Sequence, residues 1–308
     1  MIEGGDYTEA LALLKSLPDN ESETLYLSAV CERRLGNKTA ALGILDKLIG
    51  QHPKHGRAFQ ERGHILRELG HTDAALAAYG RATQENPSLH AAWRAQAELL
   101  LNAGRMKEAS RVKPHIERLL RMPKPLLYVL DMLSQGFVGK AEKTCRAFLV
   151  DNPRHIEGMR LLAEIAIKLN IFDEAEFILE SAVLFDPSNT ELKTDYVGIL
   201  RKRQKLVEAR DLALELYRDD ERNLHMKSQY AVTSMQVGDY GTALELFEQL
   251  LTEMPGEPVT LTSKGHALKT VGQTDAAIEC YREACREGII HGEAWQSLAN
   301  LKTYRFTD

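Results

Sequence analysis

Closely spaced histidines are the first residues in this sequence that could do chemistry, because imidazole nitrogens are common zinc ligands. His52, His55 and His64 all occur in the stretch HPKHGRAFQERGH. His52 and His55 flank Pro53, which predicts a turn, whereas His64 lies about two helical turns into the element that follows. Side chains placed in this way would not converge within the roughly 2 Å of a zinc–nitrogen bond. We therefore expect no metal site here.

The cysteines also lack a reactive or metal-binding pattern. Cys31, Cys145, Cys280 and Cys285 form no C-x-x-C pair and no zinc-ligand spacing. Cys280 and Cys285 are five residues apart on one predicted helix, about 140° around its axis, which disfavours a disulfide between them. We expect reduced, mostly packed thiols and no cysteine nucleophile.

Enzyme motifs are missing from the sequence. The stretch GFVGKA has the end of a phosphate-binding loop, but no Ser or Thr follows Lys140. The patterns G-x-S-x-G, H-E-x-x-H and G-x-G-x-x-G do not occur either. These observations predict a chain with no catalytic site and no cofactor.

Composition argues against nucleic-acid and membrane partners. The 308 residues carry a formal net charge of -5, so no global positive field attracts nucleic acid or anionic lipid. The basic residues of RKRQK at 201–205 are interpreted as a helix end, where cations complement the helix dipole. No apolar stretch approaches the 18 to 20 or so residues of a membrane span, and the N-terminus MIEGGDYTEA is acidic. We expect a cytoplasmic protein without a leader or anchor.

A regular alanine repeat organises the chain. Its intervals are 31, 34, 34, 32, 34, 34, 34 and 34 residues, between Ala10, Ala41, Ala75, Ala109, Ala141, Ala175, Ala209, Ala243 and Ala277. Five residues before most of these alanines stands a glycine, which suits the left-handed residue that ends a helix. A proline often follows twelve residues later and closes the second helix. The alanine lies where two amphipathic helices would cross closely.

This register resembles the tetratricopeptide repeat, whose pattern is W-x2-L-G-x2-Y, then A-x3-F, then P. In the segment 56–87 the matches are Phe59, Gly63, Leu66, Ala75, Tyr79, Ala82 and Pro87. The resemblance implies an all-α fold, a right-handed α-α superhelix of about eight helical hairpins plus partial terminal repeats. A generic helical bundle is disfavoured because it has no reason to repeat every 34 residues.

Prolines interrupt the pattern and predict a division of the array. Pro114 falls inside an expected second helix, which should kink or break, and Pro123 and Pro125 precede a continuous apolar run. We interpret this region as a hinge between an N-terminal block, 1–121, and a C-terminal block, 122–291. Residues 292–308 would start a further helix or a junction.

The resemblance also implies a partner-binding site, because the first helix of each hairpin lines the concave groove in this family. Reading the groove-facing places predicts contacts from Arg57, Gln60, His64, Arg67, Arg94, Glu98, Leu126, Leu130 and Arg160. The arginines at 57, 67 and 94 form the most positive portion, suited to acidic side chains or a C-terminal carboxylate. An ordinary solvated inner face remains an equal alternative.

The last residues carry a second resemblance. The stretch GEAWQSLANLKTYRFTD, with Trp295 and Ala299 in register, is similar to the junction in bacterial tetratricopeptide-sulfotransferase proteins. That resemblance implies a non-catalytic scaffold that binds a protein or peptide ligand, with a sulfotransferase domain in cis. The alternatives are a free-standing adaptor and, less favoured, an enzyme with an unrecognised site in the groove.

Overall fold

A computed structural model describes residues 6–16, 21–286 and 292–301 of the chain. Within these ranges the protein forms eighteen α-helices and no β-strand, which confirms the predicted all-α class. The chain divides into two compact units, residues 1–169 and 170–308. The block boundary near residue 121 that the prolines predict is a different division and stays a prediction.

The first unit contains ten helices within the described ranges: α1 Tyr7–Leu14, α2 Ser22–Arg34, α3 Lys38–Gln51, α4 Gly56–Glu68, α5 Thr72–Glu85, α6 His90–Asn102, α7 Met106–Arg121, α8 Lys124–Ser134, α9 Val138–Asp151 and α10 Ile156–Lys168. The second unit contains the other eight of the described part: α11 Phe172–Phe185, α12 Thr190–Lys202, α13 Leu206–Asp219, α14 Leu224–Gln236, α15 Tyr240–Glu253, α16 Pro258–Thr270, α17 Thr274–Ala284 and α18 Gly292–Ala299.

Consecutive helices pack as hairpins inside each unit. The hairpins are α2/α3, α4/α5, α6/α7 and α8/α9 in the first unit, and α12/α13, α14/α15 and α16/α17 in the second. First helices also contact the next first helix, as in α2 with α4 and α14 with α16. In the described ranges no two second helices are in comparably extensive contact. The first helices therefore lie together on one side of each unit.

The registered alanines lie in the hairpin cores, as their spacing predicts. Ala41, Ala75, Ala141, Ala209 and Ala243 have no solvent-exposed surface. Residues in the left-handed region end the first helices, at φ between 71° and 88° for Gly36, Gly70, Gly104, Gly136, Gly238 and Gly272. Asn170 and Gln204 adopt φ of 60° and 61° at the corresponding places. The glycines avoid the steric cost that a side chain meets in this conformation.

The helix that contains Pro114 does not break. Helix α7 runs continuously from Met106 to Arg121 through that proline, with Val112 and Leu119 buried on its packed side. This packing offsets the missing backbone N–H of the proline. Pro123 and Pro125 lie at the start of α8, where a proline costs no intrahelical hydrogen bond. The predicted break at Pro114 is therefore wrong, whereas the predicted kink stays a prediction.

A glycine, a histidine and a tyrosine form a compact contact between α4 and α5. A Cβ built on Gly63 would lie 2.6 Å from Cε1 of the Tyr79 ring, which is fully buried. The hydroxyl of Tyr79 is 2.7 Å from Nδ1 of His64. The same arrangement recurs in α16 and α17, where Gly265 contacts Tyr281. Glycine is required at these places because the aromatic ring covers the helix backbone.

We predict opposite effects for two glycine-to-alanine substitutions. Gly63→Ala should lower the free energy of unfolding by about 1 to 3 kcal/mol, because the added methyl group overlaps the Tyr79 ring. Gly43→Ala, in α3, meets no atom within 4 Å and should raise it by about 0.5 to 1 kcal/mol through helix propensity. Urea denaturation of both variants tests this expectation. A Gly63→Ala variant as stable as the wild type would contradict the packing described here.

Two partly buried histidines predict a pH dependence of stability. Burial lowers the pKa of His64 and of His55 below the ordinary 6.5. The unfolded chain therefore takes up protons first as the pH falls, and the free energy of unfolding should decrease from about pH 7 towards about pH 5. His64→Gln should make this decrease shallower, whereas replacing the exposed His71 by Gln should leave it unchanged. Denaturation at several pH values measures the slope, and an unchanged slope in His64→Gln would exclude this residue as a cause.

Candidate partner-binding face of the first unit

Two first helices bring the predicted basic residues onto one side of the first unit. Helix α4 supplies Arg57, Gln60, His64 and Arg67, at helical spacings of three and four residues that share one face. Helix α6 supplies Arg94 and Glu98. We call the surface formed by Glu23, Arg57, Arg67, Arg94 and Glu98 the first-helix face.

Arg57 is held by two groups on α2. Its guanidinium carbon lies 4.1 Å from the centre of the Tyr26 ring, within the range of a cation–π contact. Its Nη1 is 3.3 Å from Oε2 of Glu23, and the two side chains are 36% and 55% exposed. The arginine is therefore positioned by an aromatic ring, while its charge is shared with a carboxylate that remains open to solvent.

The other two arginines of the face differ in their partners. Nη1 of Arg67 is 3.4 Å from Oε2 of Glu98, again between partly exposed side chains one repeat apart. Arg94 is exposed and has no carboxylate partner within the described part of the chain. The structure thus supplies acidic partners for two of the three predicted arginines. The helix position of Glu98 follows from the sequence, whereas its pairing with Arg67 depends on the packing of α4 and α6.

The polar residues between these arginines are partly buried. Oε1 of Gln60 is buried without a hydrogen-bond partner in the described part. His64 is engaged with Tyr79, and burial raises the pKa of that tyrosine to about 12, so its hydroxyl stays protonated. Gln60 and His64 are therefore less accessible to a partner than Arg67, which is exposed.

Two of the predicted contact residues do not reach an open surface. Leu126 is fully buried and Leu130 is 8% exposed, because both pack into the interior of the first unit from α8. A partner could touch them only by displacing that packing, so we remove them from the proposed contact set. Arg160 is partly buried, and its Nη1 lies 3.7 Å from Oε2 of Glu157. The other carboxylate oxygen of Glu157, Oε1, accepts a hydrogen bond from Nε of Arg118 at 3.0 Å.

A cavity of about 470 Å³ opens beside Arg57. Its walls come from the N-terminus of α2, the loop between α3 and α4, and the turn between α8 and α9. Lys54 and His55 supply polar groups and Phe137 supplies an apolar wall. The volume falls within the 300 to 1,000 Å³ or so that is typical of small-ligand pockets.

The cavity was missed by the sequence analysis because distant segments form it. The amide Nδ2 of Asn86, a lining residue at the end of α5, donates to Oδ1 of Asp131 in α8 at 2.9 Å. These residues are far apart in the chain and belong to different repeats. No local pattern signals such a contact.

The histidines and cysteines that were considered as metal ligands or nucleophiles form no such site in the described residues. His55 Nδ1 accepts the backbone N–H of Ala58 at 3.1 Å, and no group of three metal-ligating side chains occurs in the part of the chain that the structure describes. Burial raises the pKa of the Cys145 thiol to about 11, which leaves it protonated and unreactive. Among the described helices none is long and apolar enough to cross a membrane.

Comparison with known proteins agrees with this architecture. Profiles of the tetratricopeptide repeat match residues 23–55, 61–110 and 161–288. The rice (Oryza sativa subsp. japonica) protein called DnaJ protein P58IPK homolog A is similar to the chain at 21% identity, over 93% of this chain and 68% of that protein.

Solved structures show similarity as well. A tetratricopeptide repeat protein from Parabacteroides merdae is 15% identical, with a TM-score of 0.46 over 90% of this chain and 97% of that one. The crystal structure of YrrB, described as a TPR protein with an unusual peptide-binding site, is also 15% identical. Its TM-score is 0.48, over 56% of this chain and 89% of that one. The profile matches, the buried alanine register and the paired helices show that residues 23–55, 61–110 and 161–288 of this chain are built from tetratricopeptide repeats.

Proposed function

We propose that the chain is a protein-interaction scaffold that binds an acidic peptide or protein segment on the first-helix face of the first unit. One observation carries the proposal: Arg57, Arg67 and Arg94 project from consecutive first helices, and none of them is locked into a buried ion pair. Guanidinium groups match carboxylates geometrically through paired N–H donors. A segment that crosses α4 and α6 would meet all three.

Binding is favourable because a carboxylate of the ligand can replace the internal carboxylate partner of an arginine. The pairs of Arg57 with Glu23 and of Arg67 with Glu98 join partly exposed side chains, and pairs of this kind contribute about 0 to 1 kcal/mol. A bound segment excludes water from the face, and a hydrogen bond to a charged group is then worth about 1.5 to 3 kcal/mol. A partner carboxylate therefore gains more from an arginine than the internal carboxylate loses.

The cavity beside Arg57 provides a place for part of the ligand. Arg57 and Lys54 present positive charge at its opening, and the ring of Phe137 gives an apolar surface. This combination suits a carboxylate with a neighbouring apolar side chain. Segments with both groups should therefore bind better than segments that carry only charge.

A second proposal concerns the larger protein to which this scaffold would belong. We propose that it forms the non-catalytic part of a larger sulfotransferase-type protein, because residues 292–308 resemble that junction. Of this stretch the structure describes residues 292–301, in which Ala294 and Leu298 are buried and Trp295 is 45% exposed. The codons that follow Asp308 in the gene test this proposal. If they encode a predicted strand followed by the motif P-R-S-G-[ST], the proposal is supported. A stop codon at that point favours the free-standing adaptor instead.

Reversal of the three charges should abolish binding while the fold is kept. In the variant Arg57→Glu, Arg67→Glu, Arg94→Glu we expect the dissociation constant for a capped oligo-glutamate peptide to rise at least about a hundredfold, since several charge-assisted contacts are lost. Calorimetry at two ionic strengths is the measurement, and wild-type binding should weaken as salt increases. Circular dichroism should report unchanged helicity.

A matched control separates this effect from the change in net charge. Reversal of Arg111, Lys113 and Arg121, all exposed on the second helix α7, changes the net charge equally and should leave binding within about threefold of the wild type. If the first variant binds as tightly as the wild type, the first-helix face is not the site. If both triple reversals weaken binding equally, the attraction is a general charge effect and the assignment to this face is also wrong.

A further inference from the structure

The helices that contain the registered alanines present one line of residues to solvent. The line consists of the residues two places before the alanine and two, five and nine places after it, at spacings of four, three and four that share one face of a helix. From α3 to α15 all of these residues are exposed except Gly80 and Leu214, which are half-buried. We call this line the outer stripe of a helix.

The outer stripe of α7 is basic. Arg121 continues it by one turn beyond its four members, which are Lys107, Arg111, Pro114 and Arg118. Lys107 and Arg111 form no ion pair within the described residues. Nη2 of Arg121 is 4.0 Å from Oε2 of Glu117, and this arginine side chain is 83% exposed. Arg118 contacts a carboxylate of α10. The stripe therefore concentrates positive charge around the exposed ring of Pro114.

The outer stripe of α11 alternates between acidic and apolar residues. Its members are Asp173, Phe177, Glu180 and Leu184, and α11 contains no basic residue. The side chains of Phe177 and Leu184 are 69% and 74% exposed. Glu180 forms no ion pair in the part of the chain that the structure describes, and Asp173 contacts Arg203 but stays open to solvent. Two exposed apolar groups thus lie between carboxylates.

These two stripes differ from the others of the same register. Among the described helices α3 to α15, α7 alone has three cations in its outer stripe, and α11 alone has two exposed large apolar side chains there. Single exposed apolar residues are common on protein surfaces, whereas an apolar pair flanked by acidic groups fits a partner that is both basic and apolar. The stripe of α7 has this composition.

We propose that α7 of one copy of this chain docks along α11 of a second copy. Cations of α7 meet the carboxylates of Asp173 and Glu180. Phe177 and Leu184 pack against Pro114 and the methylene stems of the arginines, and a guanidinium group can cover the Phe177 ring. The two surfaces are different, so the contact is heterologous and each pair of copies keeps one stripe of each kind unoccupied. Association can therefore continue beyond two copies.

The contact should be weak and sensitive to salt. One helix on another buries less than the roughly 1,200 Å² of a stable interface, so we expect a dissociation constant of about 10 to 100 µM. Sedimentation equilibrium of the 308-residue chain measures it. The weight-average mass should rise with protein concentration, and a higher ionic strength should raise the dissociation constant several-fold because exposed ion pairs are screened.

Two variants each remove one half of the contact. Arg111→Glu with Arg121→Glu reverses charges on α7, and Phe177→Ser with Leu184→Ser removes the apolar groups of α11. Each protein alone should associate with a dissociation constant at least about tenfold above that of the wild type. A mixture of the two still contains one intact α7 and one intact α11 stripe. We expect this mixture to form a one-to-one dimer that does not grow further.

Matched controls account for net charge and for the loss of an exposed apolar group. Arg282→Glu with Arg286→Glu reverses two exposed cations near the end of α17 and changes the net charge as much as the α7 variant does. Val150→Ser removes an 80% exposed side chain that has the place of Leu184 in the outer stripe of α9. Both controls should keep the dissociation constant within about twofold of the wild type.

The outcomes decide the proposal. A wild-type chain that stays monomeric at about 200 µM, well above the expected dissociation constant, would overturn it. So would a mixture of the two variants that stays monomeric, or equal weakening in the charge control. Association that is lost in the α11 variant but kept in the α7 variant would show a contact between two α11 stripes and would overturn the pairing. Each of these failures leaves the function proposed for the first-helix face standing, because that face lies on other helices.

Discussion

Close contact between two helices at a buried alanine is the interaction on which the other features of this protein depend. Ala41, Ala75, Ala209 and Ala243 are fully buried where the helices of a hairpin cross, and a larger side chain would separate them. Each hairpin buries only part of its apolar surface by itself, so it must pack against its neighbours. The aromatic ring of Tyr79 over Gly63 applies the same constraint a few residues away. Small residues at these points allow the backbones to approach.

Packing of the hairpins brings charged residues of different helices into contact, and this geometry organises the charges. Nε of Arg33 lies 2.6 Å from Oε2 of Glu61, and Nε of Arg203 lies 3.0 Å from Oε2 of Glu176. Most cations of the described chain thus have an acidic neighbour. Arg94 is exposed and has no acidic partner in the described part of the chain, so an external carboxylate meets no internal competitor there.

A ligand of the first-helix face must replace contacts that the protein already makes. Arg57 is supported by the Tyr26 ring and shares its charge with an exposed carboxylate, so a ligand must exchange with Glu23. Such an exchange gives modest affinity and high sensitivity to salt.

The repeat register, the helical hairpins and the shared side of α4 that carries Arg57 and Arg67 follow from the amino-acid sequence alone, because helix periodicity and helix-ending glycines are local properties. The orientation of α8 does not follow, since its apolar run LLYVLDML has no single hydrophobic side, and Leu126 is buried instead of lining a groove. Only the tertiary structure decided the ion pairs and the cavity beside Arg57. Each of these depends on distances between side chains of different helices, and those distances are set by packing instead of by local sequence.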